Sequence, residues 1–312
     1  MKNDIKLAVV IPAYNEEETI SDCINKLSNS LNSISEINSF KIIIVNDGSL
    51  DNTEQIADQM SNTLVISHGY NRGIGAAVRT GLKFVEENNF DIVVKFDADL
   101  QHDPNDIKNV IEPLISNNFD LVYGDRFNGA ITYKMPGIRK YGNKFFTKLM
   151  KLITNYSITD SQPGLFAGNK KFLSSVSIFS DYNYTQQVLY SSYISGLRFK
   201  QIPIKFNERK HGQSFVKLSY PFKAMFQILL LMITKNPMRS LGSISLVTTL
   251  ITIFISCLQL ADYFNGLTPK PIMNVNLILG LGFISVQLLL TAIILKSISN
   301  IETYMRTRNQ NF

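Results

Sequence analysis

The 312-residue chain has no tryptophan, three histidines and two cysteines. Cys23 and Cys257 stand far apart with no C-x-x-C spacing, so neither a disulfide framework nor a zinc site is supported. No G-x-x-x-x-G-K-S/T loop occurs, which excludes a P-loop nucleotidase. A dinucleotide fingerprint needs G-x-G-x-x-G between the first strand and the first helix. The nearest match, Gly73-Ile-Gly75-Ala-Ala-Val78, follows the third predicted strand and ends in Val. The N-terminus carries no signal-peptide pattern, because its apolar run at 7–11 is short and meets Pro12. No internal repeat or low-complexity segment is present. Acid is scarce at one end: residues 219–312 hold seven Lys/Arg against Asp262 and Glu302, which is +5 of the net +6. Residues 1–218 hold 24 basic and 23 acidic side chains. The excess charge belongs to the hydrophobic end and gives no argument for a nucleic-acid partner.

That end holds two long uncharged runs. Residues 240–261 and 271–295 contain no charge, and at about 1.5 Å per residue each can cross a core of roughly 30 Å. Two consecutive runs of this length argue against buried core helices of a soluble protein. The predicted spans are 240–262 and 271–296. The first is rich in Ser and Thr, which leaves open a role in packing against the second. The link between them carries Asp262 and Lys270, whereas Lys235, Arg239, Lys296, Arg306 and Arg308 flank the pair. The positive-inside rule then puts the N-terminal domain and the tail in the cytoplasm. Ahead of the first span, 219–236 places Phe222, Met225, Phe226, Leu229, Leu230 and Ile233 at helical spacing, with lysines at its edges. This reads as an interfacial helix on anionic lipid; the alternative is a helix covering the sheet.

Residues 1–218 read as one α/β domain. Strands are predicted at 5–11, 41–45, 64–67, 92–96, 120–124 and 199–206. Helices are predicted at 16–31, 51–60 (capped by Ser49 or Asp51), 75–88 and 104–116. Continuously apolar strands alternating with amphipathic helices point to a mostly parallel, Rossmann-like sheet covered on both faces. Residues 128–218 are more aromatic and irregular, which suits a substrate-binding half.

Ligands of such sheets bind at the carboxyl ends of the strands. Four polar loops fall there. Pro12-Ala-Tyr14-Asn-Glu16 offers a ring to stack and a carboxylate, and Asn46-Asp47-Gly-Ser49 offers an acceptor or a plain tight turn. Asp97-Ala98-Asp99-Leu-Gln101 aims two hard carboxylates into one crevice, which suits Mg²⁺ or Mn²⁺ bridging to phosphates. Gly124-Asp-Arg126 offers a guanidinium for a diphosphate. Each is weak alone; four on one sheet edge are not.

Together with Asn71-Arg-Gly-Ile-Gly75, Phe96-Asp-Ala-Asp-Leu-Gln-His102, Asp160-Ser-Gln-Pro-Gly-Leu-Phe166 and Arg209-Lys-His-Gly-Gln-Ser214, these loops resemble the inverting glycosyltransferases of family 2, and among them the polyprenyl-phosphate sugar transferases. The resemblance covers residues 5 to 217. It implies a GT-A fold, with a cytoplasmic catalytic domain at 1–218, a juxtamembrane helix at 219–236 and two transmembrane helices with a short tail at 237–312. The implied activity is metal-dependent transfer of a sugar from a UDP- or GDP-linked donor to undecaprenyl or dolichyl phosphate. Pro12, Tyr14, Glu16, Val45 and Asp47 would hold the nucleoside, and Asp97 with Ala98 would contact the nucleotide. Asp99 and Gln101 would ligate Mg²⁺ or Mn²⁺. Arg126, Arg139 and Arg209 would bind the diphosphate and the acceptor phosphate, with Ser214 and Lys217 in the same acceptor loop. Asp160 is the candidate base, and Asp99 and Arg209 complete the catalytic set. Related proteins often self-associate through their spans, which leaves a homo-oligomer open; the sequence does not decide it.

Three positions depart from the pattern. Asn46 replaces the first acid of D-D-G-S, Phe215 replaces a Lys after Ser214, and Gln186 or Gln187 stands where relatives carry an acid. Two other readings remain: a transferase that elongates a polysaccharide, and a non-catalytic sugar-nucleotide sensor. Elongating synthases carry Q-x-x-R-W, and this chain has no tryptophan.

Overall fold

The computed structural model describes residues 5–133, 137–181, 184–208 and 220–309. The chain divides into two compact units, one up to Ala224 and one from Met225 onward. The first is a seven-stranded sheet with helices packed on it. Its strands are β1 (Ile5–Ala13), β2 (Ile37–Asn46), β3 (Thr63–Ser67), β4 (Ile92–Lys95), β5 (Leu121–Ile131), β6 (Phe166–Asn169) and β7 (Phe199–Phe206). Its helices are α1 (Ile20–Asn32), α2 (Thr53–Asp58), α3 (Ile74–Glu87), α4 (Asp106–Ile115), α5 (Gly137–Thr154), α6 (Lys170–Ser175) and α7 (Tyr184–Ile194).

The strand order is β3-β2-β1-β4-β6-β5-β7. The β3-β2-β1-β4 half is parallel, as is β5-β7, while β6 runs antiparallel to both β4 and β5. The six predicted strands are present, and β6 is an addition from the aromatic half. Val9, Ile11, Ile42, Ile44, Val94 and Ala167 are fully buried and form one core with Leu27, Ile107 and Val110 from the helices. Because β1 lies between β2 and β4, the chain leaves it in opposite directions. That is a topological switch point, with a crevice at the strand carboxyl ends.

Helix starts differ from the sequence expectation for local reasons. The first helix begins at Ile20 rather than residue 16, because Asn15 takes a left-handed φ of 54° and residues 16–19 form a turn closed by the Glu16 carbonyl. Asp51, not Ser49, accepts from the Thr53 amide at the head of α2 (3.0 Å). Ser49 is turned to the Asn15 amide instead (3.0 Å).

The second unit contains most of α8 (Tyr220–Lys235), then α9 (Pro237–Phe264) and α10 (Val275–Asn309). Pro237–Phe264 and Val275–Ile301 have mean hydropathies of 2.1 and 2.4 and are long enough to span a bilayer. The second helix begins at Val275 rather than 271; Gln259 of α9 accepts from the Met273 and Asn274 amides and ends the link there. The Ser/Thr content of the first span now has a place. Thr248, Thr249, Thr252 and Ser256 donate to carbonyls three or four residues back, so these hydroxyls are satisfied within their own helix, as hydrocarbon requires. Ser245 and Ser285 are buried where α9 meets α10, and each donates to the other's carbonyl (2.8 and 2.9 Å). In α8, Met225, Phe226, Leu229 and Leu230 are exposed within this unit.

Candidate active site

The loops after β1 and β2 are laced together. Ser49 Oγ accepts from the Asn15 amide (3.0 Å), Asn15 Oδ1 from the Leu50 amide (2.8 Å) and Thr53 Oγ1 from the Glu16 amide (2.8 Å). Glu16 also accepts from Thr19 Oγ1 (2.9 Å). Tyr14, Glu16 and Pro12 are half-buried at this edge, whereas Val45 has no exposed surface. Its side chain serves the core rather than the crevice.

Asp47 is 3% exposed. Its carboxylate takes the amides of Arg72 (3.0 Å) and Gly73 (2.7 Å) and pairs with His68 Nδ1 (2.7 Å). It therefore anchors the loop 68–73, the Asn71-Arg-Gly motif, above the end of β2. Gly73 has φ 97°, a conformation open to glycine. The acceptor role expected for Asp47 is thus largely taken up inside the protein. Asn46 is fixed as well. Its Nδ2 donates to Glu54 (2.8 Å) and its Oδ1 accepts from the Ser49 amide (3.0 Å). An acid at 46 would face Glu54 directly.

Asp97-Ala98-Asp99 follows β4. One oxygen of Asp97 meets the ammonium of Lys95, which is fully buried and also donates to the Gly164 carbonyl (2.9 Å). The other oxygen lies 3.6 Å from His102 Nε2. Burial alone would raise the Asp97 carboxyl, but Lys95, with His102 behind it, holds it well below the ordinary carboxylate range. Burial and the carboxylates of Asp99 and Asp97 push the nearby Cys23 thiol up, so Cys23 is an inert core residue. Ala98 is buried. Asp99 is half-buried and accepts from the Gln101 amide (3.1 Å), across a Leu100 with φ 57°. Gln101 is held in turn: its carbonyl accepts from the Asn207 amide (2.7 Å), and its Nε2 donates to the Asn207 carbonyl (3.2 Å). His102 bridges to Phe206. The carboxylate loop is thereby stitched to the end of β7, directly ahead of the acceptor-loop motif. A cleft of about 980 Å³ runs beside this junction, lined by Ser30, Leu100, His102, Pro104 and Asn207 among others.

The oxygens offered here suit a hard cation. Among the described residues no group of three His, Cys, Asp or Glu forms a closed cage. One carboxylate, Asp99, and one amide oxygen, Gln101, are hard donors of the kind that would suit Mg²⁺ or Mn²⁺.

Arg126 and Asp160 form a buried pair. Nε donates to Oδ2 (2.6 Å) and one Nη to Oδ1 (2.9 Å), and the same Nη reaches the Gln162 carbonyl (2.6 Å). Asn143 Nδ2 (2.9 Å) and the Gln162 amide (3.0 Å) complete the shell of Asp160. Burial works against both charges, yet their attraction holds Asp160 below and Arg126 above their ordinary ranges. A carboxylate with this many donors is a poor proton acceptor. The geometry therefore favours an anchor over the expected base: Asp160 fixes the orientation of Arg126 in the middle of β5.

Gln187 settles one departure. Its side chain takes the amides of Phe179 and Ser180 (both 3.0 Å) and donates to the Ser180 carbonyl (3.1 Å), pinning the loop before α7. Gln186 is buried beside it. Arg209, Ser214 and Lys217 lie outside the described residues, and Arg139 stands in α5 with its side chain outside them. Sequence reasoning gives no site role to Lys95, Gly164 or His68. A lysine inside an otherwise apolar strand, two residues before a carboxylate, was the available signal for the first. A Cβ on Gly164 would overlap Asp97 Oδ2 and His102 Nε2, a closeness that no spacing in the chain records.

Comparison with known proteins places the fold in a family. The description "Glycosyl transferase family 2" belongs to a family model matching residues 8–176. A UDP-N-acetylglucosamine–dolichyl-phosphate N-acetylglucosaminyltransferase of Methanococcus voltae is 33% identical over 253 residues, covering 74% of this chain and 98% of that protein. A dolichol-phosphate mannosyltransferase of Pyrococcus furiosus is 29% identical over 235 residues, covering 73% and 64%. Among solved structures, the glucosyl-3-phosphoglycerate synthase of Mycobacterium tuberculosis, in complex with Mn²⁺, UDP and glucosyl-3-phosphoglycerate, aligns with a TM-score of 0.57 at 20% identity, over 75% of this chain and 80% of that one. That likeness shows the GT-A fold. With more than half of the chain matched by the family, and a relative at 33% identity matched over nearly its whole length, the chain belongs to glycosyl transferase family 2.

Proposed function

We propose that this protein transfers a sugar, with inversion, from a nucleotide sugar to a polyprenyl phosphate at the surface of the cytoplasmic membrane. The observation that carries the reading is the junction at 101 and 207. The carboxylate loop at the sheet's switch point is bonded to the residue just ahead of the acceptor motif, in a chain that carries two membrane-length helices. The lipid-phosphate transferases among its relatives support the same substrate class.

Tyr14 and Glu16 flank the nucleoside, and Asp97 presents a fixed, charged acceptor to the nucleotide. Asp99 and Gln101 hold Mg²⁺ or Mn²⁺, which supplies charge neutralisation for the leaving diphosphate. Arg126, aimed by Asp160, adds a cation to that diphosphate. Arg139, Arg209, Ser214 and Lys217 receive the acceptor phosphate. A phosphate oxygen attacks the anomeric carbon as the nucleoside diphosphate departs. That oxygen is anionic at neutral pH, so the step needs no carboxylate base, consistent with the saturated shell of Asp160.

The catalytic domain and tail face the cytoplasm, by the charge asymmetry around the spans. Helix α5 suits a lipid surface: Tyr141, Phe145 and Leu152 are exposed, Lys140, Lys144, Lys148 and Lys151 share the helix, and it contains no acid.

The test offers membranes bearing the protein a panel of labelled nucleotide sugars with polyprenyl phosphate. Label enters the organic phase only with divalent metal, and Asp99→Ala abolishes it. Transfer that survives chelation sinks the metal assignment. Failure of every donor to label lipid sinks the acceptor assignment.

A further inference from the structure

Two carboxylates one residue apart are equal candidates for one metal, yet here their surroundings differ. Lys95 is the last residue of a fully buried strand and carries its charge at 0% exposure. Its ammonium has three neighbours: Asp97, the Gly164 carbonyl (2.9 Å) and the Tyr184 ring, whose centroid is 5.4 Å away. A buried lysine is costly unless paired and hydrogen-bonded, and this one is both. On its far side the second Asp97 oxygen lies 3.6 Å from His102 Nε2 and so close to Gly164 that a Cβ there would overlap it, while a quarter of the side chain stays exposed toward the crevice. Asp99 is half-buried like Asp97, but it sits in a turn beyond the reach of that strand lysine's pairing and accepts from the Gln101 amide.

We propose that Lys95 is a positioning residue that keeps Asp97 out of the metal's coordination shell. The pair then acts as one locked carboxylate and one ligand, and the net charge offered to a divalent ion is that of one carboxylate rather than two. A protein site of that charge binds the free ion weakly, so the ion arrives and leaves with the nucleotide diphosphate. A doubly charged site would retain it. This division of labour rests on the metal assignment proposed above and adds the residue that enforces it.

The experiment titrates Mn²⁺ alone into the detergent-solubilised full chain and follows free ion by electron paramagnetic resonance, with melting temperature recorded for every variant. Lys95→Met removes the cation and leaves Asp97 uncompensated; Mn²⁺ affinity rises by roughly tenfold or more. Lys95→Met with Asp97→Asn restores neutrality and stays within about twofold of wild type, because neither side chain touches the ion. If the single variant does not fold, the double variant carries the test by itself. A double variant that binds Mn²⁺ about tenfold more weakly makes Asp97 a ligand and overturns the proposal, as does an unchanged affinity in a folded Lys95→Met. Loss of a merely structural lysine would move the melting temperature and leave these affinities alone. If wild type and Asp99→Asn bind Mn²⁺ indistinguishably, the metal assignment itself has failed.

Discussion

Asp160→Asn separates an anchor from a base. The substitution conserves shape, so no cavity enters the argument. It removes one charge from a pair whose side chains are 6% and 0% exposed, and it turns an amide NH₂ toward a guanidinium that already donates. Removing one partner of a buried pair costs about 3–5 kcal/mol, because the other charge stays behind uncompensated. For a domain of this size each kcal/mol moves the melting temperature by roughly 2–4 °C, so the expected fall is about 6–20 °C. The pH dependence follows in sign. The folded-state carboxyl is held below its ordinary value, so its contribution is fully present above the unfolded carboxylate range of about 4. It is lost as pH falls through the lower folded value. The wild-type advantage over the variant is therefore flat from about pH 5 to about pH 8 and narrows only in stronger acid. Calorimetry on the solubilised protein, run beside the transfer assay, reads both. An Asp160→Asn protein that melts with wild type yet transfers no sugar would refute the anchor and restore the base.

Gly164→Ala forces a Cβ onto Asp97 and His102; turnover falls by roughly tenfold or more, measured as kcat/KM for the donor. Asn46→Asp, which recreates the commoner acid of this motif, sets a second carboxylate against Glu54 in place of a 2.8 Å hydrogen bond. Because Glu54 is exposed, the cost is about 1 kcal/mol. Calorimetry on the solubilised variant beside wild type reads it. Ser285→Ala removes the bond that Ser285 donates to the Ser245 carbonyl, while Ser245 still reaches the carbonyl at 285, and loosens the helix pair by about 0.6–2 kcal/mol. Denaturation in detergent shows this as earlier separation of a fluorophore pair placed on α9 and α10.

The order of residues along the chain suffices for the class of fold, the family, the switch-point loops and the two membrane-length helices. These rest on signals of short range: apolar runs for buried parallel strands, uncharged stretches above twenty residues for spans, and turn residues at strand ends. Element boundaries shifted where a single side chain intervened, as Asn15 did before α1 and Gln259 before α10. The division of labour among charges emerges only on folding. Asp47, Asp97, Asp99 and Asp160 are equivalent carboxylates on paper. In space Asp47 binds a distant loop, Asp97 a buried lysine, Asp160 a buried arginine, and Asp99 stands in a turn at the crevice. A carboxylate's chemistry depends on which donors surround it, and those of Asp47 come from residues 21 to 26 positions away, while the arginine on Asp160 comes from 34 positions away. No local pattern encodes which donors will meet across that distance; packing of the sheet does.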